Sequence, residues 1–283
     1  MITLDFKNDW KEFLSKEMTE LRFKYDVLIS LEENTIRYLN AKRRIVSNKP
    51  RSIHESKELC IHAKHSEAYD NLKRLISEGR DLRPYLSRET RKANRNDLLL
   101  NVCGVHHLHF LPAGTKDILF VRFTDTDAYI IQAFPHGRDH SDVWVNTQLI
   151  EVLHNNWPEI IASYKLANIR GEYLATEERL TIRKNHGNAI INVSDSTCYF
   201  LGGIMASGTC IYDRINCDKI IAGLTEYEDW VKTNEDNFRV ALKISEAEPL
   251  SIKLIIEDQE YWLYEPVRKV RFQLLKRTSA FDY

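Results

Sequence analysis

Uncharged stretches are short in this chain of 283 residues. The longest runs from Ser196 to Tyr212 and carries three glycines, too short to span a bilayer. Glycine is sparse too, at ten residues, which excludes a collagen-like repeat. Cys60, Cys103, Cys198, Cys210 and Cys217 are odd in number, widely spaced and form no CxxC pair. A disulfide scaffold is excluded, and these cysteines read as reduced thiols, mostly core residues, of a cytoplasmic protein. The first ten residues carry acids where a secretory signal would have a basic flank and an apolar centre. No coiled-coil heptads, internal repeats or low-complexity tracts occur. Neither sign of charge dominates, with 40 Lys and Arg against 41 Asp and Glu.

Apolar residues make up 43% of the chain, enough to bury the core of one large or two modest domains. The near-zero net charge hides an asymmetry. From Arg37 to Arg95 there are 16 basic and 7 acidic residues, a net of +9, so the remainder carries −10. A basic segment on an acidic body points to an anionic partner, nucleic acid first. Arg43, Arg44, Lys49, Arg51, Arg91, Lys92 and Arg95 are its candidate contacts. The competing reading is a solvated basic face that balances the acidic body.

Periodicity predicts an α+β protein in three segments: a basic helical region over 1–97, a His-rich α+β core over 98–165 and a C-terminal α+β region over 166–283. Trp10, Phe13, Leu14, Met18, Leu21, Tyr25, Leu28 and Ile29 recur at helical steps, predicting helix over 5–45. Helix is also expected over 56–77, closed by Gly79, and from about Ser87 to Val102, closed by Gly104. His106–Phe110, Ile118–Thr124 and Ala128–Phe134 read as strands of an antiparallel meander. Helices follow over 143–155, stopped before Trp157-Pro158, and over 159–165. The C-terminal segment predicts a helix over 176–183, a hairpin of 189–193 with 197–201, a loop over 202–209 and a helix over 212–231. Antiparallel strands are expected at 238–244, 251–257, 261–264 and 267–275. The five tryptophans, at 10, 144, 157, 230 and 262, read as core or helix-packing residues, with Trp157 under the 143–155 helix.

Six of the ten histidines fall between His106 and His154. Side chains alternate across a strand, so His107 and His109 share one face while His106, Leu108 and Phe110 share the other. The second face reads as core and the first as the candidate site. Arg122 on the next strand and His136 at the exit of the third complete a set that a meander can gather on one surface. Two chemistries fit it. In metal-independent RNA cleavage, His107, His109 and His136 are acid and base candidates and Arg122 contacts the phosphate. In a metal site, His107 and His109 with His136 or His140 would supply three imidazoles to an open coordination sphere. Structural hydrogen bonding by edge histidines is the third reading.

The run Leu98 to His109, with Gly104-Val105-His106-His107-Leu108-His109 at its end, is followed by His136-Gly137 and Trp157-Pro158. This pattern resembles a group of bacterial proteins with a Gly-Ile-His-His-Leu-His segment, a later His-Gly and a Trp-Pro. The likeness covers roughly residues 79–165 and, more weakly, Gly202-Gly203 with Ser207-Gly208-Thr209. The layout of helices before a short meander with polar histidines also resembles RelE-like toxin ribonucleases, by architecture alone. The 202–209 loop precedes a helix, where anions are attracted, but no Walker lysine follows, so it reads as a tight turn capped by Ser207 or Thr209. Nucleophile-elbow, zincin and dinucleotide-fold signatures are absent.

The expectation is therefore a cytoplasmic ribonuclease-like toxin or phage-defence effector that cleaves RNA without metal or cofactor. Its partners would be RNA or another nucleic acid and a neutralising or complex-forming protein, and not a membrane. Two alternatives stand beside it: a nucleic-acid- or protein-binding module of a defence or regulatory complex, and a metal-dependent hydrolase using the His cluster.

Overall fold

The computed structural model describes residues 2–169, 171–194, 197–200, 203–257 and 260–274. It shows an α+β fold whose contacts draw two compact units. One comprises both ends of the chain, residues 1–39 and 212–283; the other is the intervening stretch 40–211. This division differs from the three consecutive segments expected above. Its physical reason is long-range pairing: strand Ile2–Thr3 lies parallel to Leu250–Ser251, and no local pattern announces such a pair.

In the terminal unit, helix Phe6–Glu20 buries Phe6, Trp10, Leu14 and Met18, one stripe at the expected four-residue spacing. The Trp10 indole N–H donates to the Thr35 hydroxyl at 2.9 Å. The continuous helix expected over 5–45 is two, Phe6–Glu20 and Leu31–Arg44. Arg22 takes a left-handed φ of 66°, and Ser30 starts the second helix with a reciprocal cap. Its hydroxyl accepts from the Glu33 N–H, and the Glu33 carboxylate accepts from the Ser30 N–H. Helix Ile211–Thr233 follows the inserted unit. The strand expected at 238–244 is instead helix Glu235–Leu242, whose Phe238, Arg239 and Leu242 recur at helical steps and are buried. Strands Lys253–Glu257, Glu260–Glu265 and Val270–Gln273 form the expected antiparallel sheet. Trp230 is 47% exposed, outside the core, and packs edge-on against Phe238 of the next helix at 5.7 Å.

The inserted unit is built on the predicted meander: Val105–His109, Asp117–Phe123 and Asp127–Pro135, all antiparallel. A fourth strand, Ser52–Glu55, adds to the last of these in parallel, just before the stretch 56–77 expected as helix. The helix there is shorter, Ser66–Ser77, and Gly79 takes the left-handed φ of 67° that ends it. Helices cover both faces of the sheet. Leu108, Phe110, Leu119, Val121 and Ile130 pack with Tyr69, Leu72 and Ile76 of helix Ser66–Ser77. On the other face Val105, Ile118, Phe120 and Ile131 pack with Leu149, Ile150, Val152 and Leu153 of helix Gln148–Asn156.

Several boundaries move. The helix expected over 87–102 is a 3₁₀ turn at Arg88–Arg91 and a short helix, Leu98–Cys103. The segments expected as helix from 143 and over 159–165 begin with or adopt 3₁₀ turns, Arg138–Val145 and Pro158–Tyr164. Trp157 is part-buried against the second core, next to Tyr129. Strands Ile191–Ser194 and Thr197–Tyr199 form the expected hairpin, whose turn lies outside the described residues, as do Leu201, Gly202 and the end of the strand expected at 267–275. Cys103, Cys198, Cys210 and Cys217 are buried and Cys60 is exposed, and none of the five is in a disulfide.

Candidate active site

Both faces of the sheet being covered, His107 does not stand on an open polar surface. It sits beneath a pocket of about 480 Å³ in the inserted unit, walled by Asp97, Arg95, His107, Trp144, Arg183 and His186. Asp97 precedes helix Leu98–Cys103 and caps it: Oδ1 accepts from the Leu100 N–H at 3.1 Å. The other oxygen, Oδ2, lies 3.6 Å from Nδ1 of His107. One carboxylate thus ties a helix start to an imidazole on the adjoining strand. Nδ1 of His107 is sealed from solvent and has no hydrogen-bond partner among the described residues. Burial lowers the His107 pKa, while Asp97 opposes that shift. The Trp144 ring packs edge-on at 5.1 Å, fixing the imidazole plane.

Arg183, on helix Thr176–Lys184, is the main positive group of the pocket. Its guanidinium has no hydrogen-bond or ion-pair partner among the described residues. Burial lowers its pKa and the Asp97 carboxylate acts against that. A largely desolvated guanidinium facing a cavity is a ready contact for an anionic ligand, because its fork matches phosphate oxygens. Arg95 adds a second, exposed cation that is 3.6 Å from Glu89.

The other sequence candidates are placed differently. His106 is on the Leu108 face as expected, with Nε2 3.2 Å from the Arg43 carbonyl. His109 and His136 pack ring against ring at 5.1 Å, and His136 lies 6.3 Å from Trp144. Nδ1 of His109 is 3.0 Å from the Thr115 N–H, so it accepts that proton. Nδ1 of His136 donates to the Lys116 carbonyl at 2.8 Å. The structure therefore sets His107 and His136 against Trp144, with His109 against His136, but of these three histidines only His107 lines the pocket. Arg122 is held by the fold: it donates to the Cys103 carbonyl at 2.7 Å, closing the end of helix Leu98–Cys103, and covers the Tyr164 ring. Among the described residues no group of three His, Cys, Asp or Glu side chains is placed to hold a metal ion.

Much of the basic segment is spent inside the fold. Arg44 is 2% exposed and donates to the carbonyls of Asn40, Glu89 and Lys92. Arg51 is likewise buried and holds Thr124 and Ser47. Arg43 donates to Asn101, Lys49 pairs with Asp125, and Lys92 pairs with Glu89. Arg91 is exposed. Of the seven, Arg44 and Arg95 line the pocket, and only Arg95 does so with its charge turned outward.

The sequence pattern does not single out Asp97, Arg183 or His186, and it marks Trp144 only as a packing residue. An Asp before Leu-Leu-Leu is an N-cap signal and could have marked Asp97. Nothing local marks Arg183 or His186, which reach the site from a helix and the turn after it, some eighty residues further along. Comparison with protein-family models, curated proteins and solved structures finds no match for this chain. Among the described residues no helix is long and apolar enough to cross a membrane.

Proposed function

We propose that the 40–211 unit cleaves RNA by metal-independent general acid–base catalysis in the His107 pocket. The observation that carries this reading is the Asp97–His107 pair in one pocket with Arg183, whose guanidinium has no partner among the described residues. Burial keeps His107 neutral at neutral pH, so it can accept a proton. Asp97 at Nδ1 favours the tautomer that leaves Nε2 as the acceptor and stabilises the imidazolium once formed. Arg183 is placed to neutralise charge that builds on a phosphate during attack by the neighbouring 2′-hydroxyl.

The test is cleavage of a labelled RNA by purified protein in the presence of a chelator. His107→Ala should slow cleavage by roughly 10²–10⁴ with the fold intact. His109→Ala and Arg122→Lys should retain most of the rate, since neither residue lines the pocket. A wild-type protein that leaves RNA intact overturns the reading; RNA retention without cleavage would describe a binding module instead.

A further inference from the structure

The loop over 203–209 meets the pocket at Gly208. This residue has a left-handed φ of 80°, and a Cβ on it would lie 3.0 Å from Nε2 of His186 and 3.1 Å from Nδ2 of Asn96. Both neighbours line the pocket, so only glycine lets the loop close against them. Its carbonyl is held by Asn101, which donates at 3.2 Å from the helix that Asp97 caps.

His186 is itself unusual. It adopts a left-handed φ of 55° just past helix Thr176–Lys184, where glycine is the ordinary choice. Its N–H donates to the carbonyl of Arg183 at 3.1 Å, so the cation and the imidazole ride on one helix end. Nδ1 is 3.0 Å from the Ala206 carbonyl, which can only accept. The proton is therefore on Nδ1, and Nε2 is the nitrogen free to change its protonation. A bulky residue kept in a sparsely populated conformation, anchored at one nitrogen and presented to a cavity, is a placed side chain.

We propose that His186 is the second proton carrier of this site, in the role that position along the sequence suggested for His136. This inference rests on the RNA-cleavage reading. Nε2 of His107 takes the proton of the ribose 2′-hydroxyl as that oxygen bonds to phosphorus. The bond from phosphorus to the 5′-oxygen breaks, and that oxygen leaves with the proton from Nε2 of His186. The products are a 2′,3′-cyclic phosphate and a 5′-hydroxyl. The net change in the protein is one proton gained at His107 and one lost at His186, reversed by exchange with water.

The experiment compares two RNA oligonucleotides at a mapped cleavage site: one natural, one with sulfur in place of the bridging 5′-oxygen. A thiolate leaves without protonation, so it needs a base and no acid. His186→Ala should lose roughly 10²–10⁴ in rate on the oxygen substrate and recover most of it on the sulfur one. His186→Asn, which tolerates the left-handed backbone and can donate to the Ala206 carbonyl, should behave alike and controls for folding. His107→Ala should be slow on both substrates. Equal losses for the His186 variants on both substrates, or no loss, overturn the proposal, and sulfur rescue of His136→Ala instead would return the role to His136. A wild-type protein that cuts neither substrate sinks the RNA-cleavage reading together with this one.

Discussion

Burial pulls the pKa of His106 down from the ordinary 6.5 to about 4, and its Nδ1 has no hydrogen-bond partner among the described residues. The unfolded chain takes up this proton near pH 6.5, whereas the folded protein resists it until about pH 4. Stability is therefore fully present above pH 6.5 and is lost as the pH falls through that window. His106 alone should cost about 2 kcal/mol at pH 5 relative to pH 7, read from urea unfolding. His107 and His109 are shifted downward by burial as well and add in the same direction. His106→Gln keeps a donor for the Arg43 carbonyl but cannot titrate, so the variant should lose less stability on acidification than the wild type. Arg183 makes the opposite trade. A desolvated guanidinium with no hydrogen bond among the described residues contributes little to folding. Arg183→Met should leave the melting temperature unchanged or raised while RNA cleavage falls; a drop of several degrees would show that the residue is structural.

Helix Leu98–Cys103 is only six residues long, and its two ends hold the site. At its start Asp97 both caps the first turn and faces His107, two roles that substitution can separate. Asp97→Asn keeps an oxygen for the Leu100 N–H and should be near neutral for stability while slowing cleavage. Asp97→Ala loses both roles and should cost about 1 kcal/mol in addition. Matching stabilities for the two variants would mean that the cap is unimportant. At the other end Gly104 has a left-handed φ of 64°, and a Cβ there would come within 2.9 Å of the Arg122 guanidinium. Gly104→Ala should therefore destabilise by more than the 1 kcal/mol or so of an ordinary helix-end glycine, because it also displaces the Arg122 bond to Cys103. Thermal unfolding distinguishes this from a neutral change.

For the whole molecule, the charge count and the surface disagree. The net of +9 between Arg37 and Arg95 suggests a broad polyanion-binding face. Instead Arg44 and Arg51 are buried on backbone carbonyls, and Lys49, Lys64, Lys73, Arg74, Arg83 and Lys92 face carboxylates. If Arg95 and Arg183 make the phosphate contacts, single-stranded RNA should bind with a shallow salt dependence. Two contacts predict a loss of only about sevenfold between 50 and 200 mM salt. A loss of several hundredfold, measured by fluorescence anisotropy, would instead restore the basic segment as an extended binding face.

Short-range regularities were readable directly. The meander, the alternation that parts His106 from His107, the glycine stops at Gly79 and Gly104 and the stripe from Trp10 to Met18 all follow from periods of two or 3.6 and from backbone sterics. Those rules act between neighbours, so they need no knowledge of the fold. Which face of the meander is open is a different matter. Helix Gln148–Asn156 covers the face that alternation left for His107 and His109, and only packing could show that. The pocket draws on Asp97, His107, Trp144, Arg183 and His186, brought together from separate helices, strands and turns. The two units likewise depend on a pairing between Ile2–Thr3 and Leu250–Ser251 across nearly the whole chain. Burial and long-range contact decide both, because a side chain's charge state and availability depend on neighbours that the linear order does not place beside it.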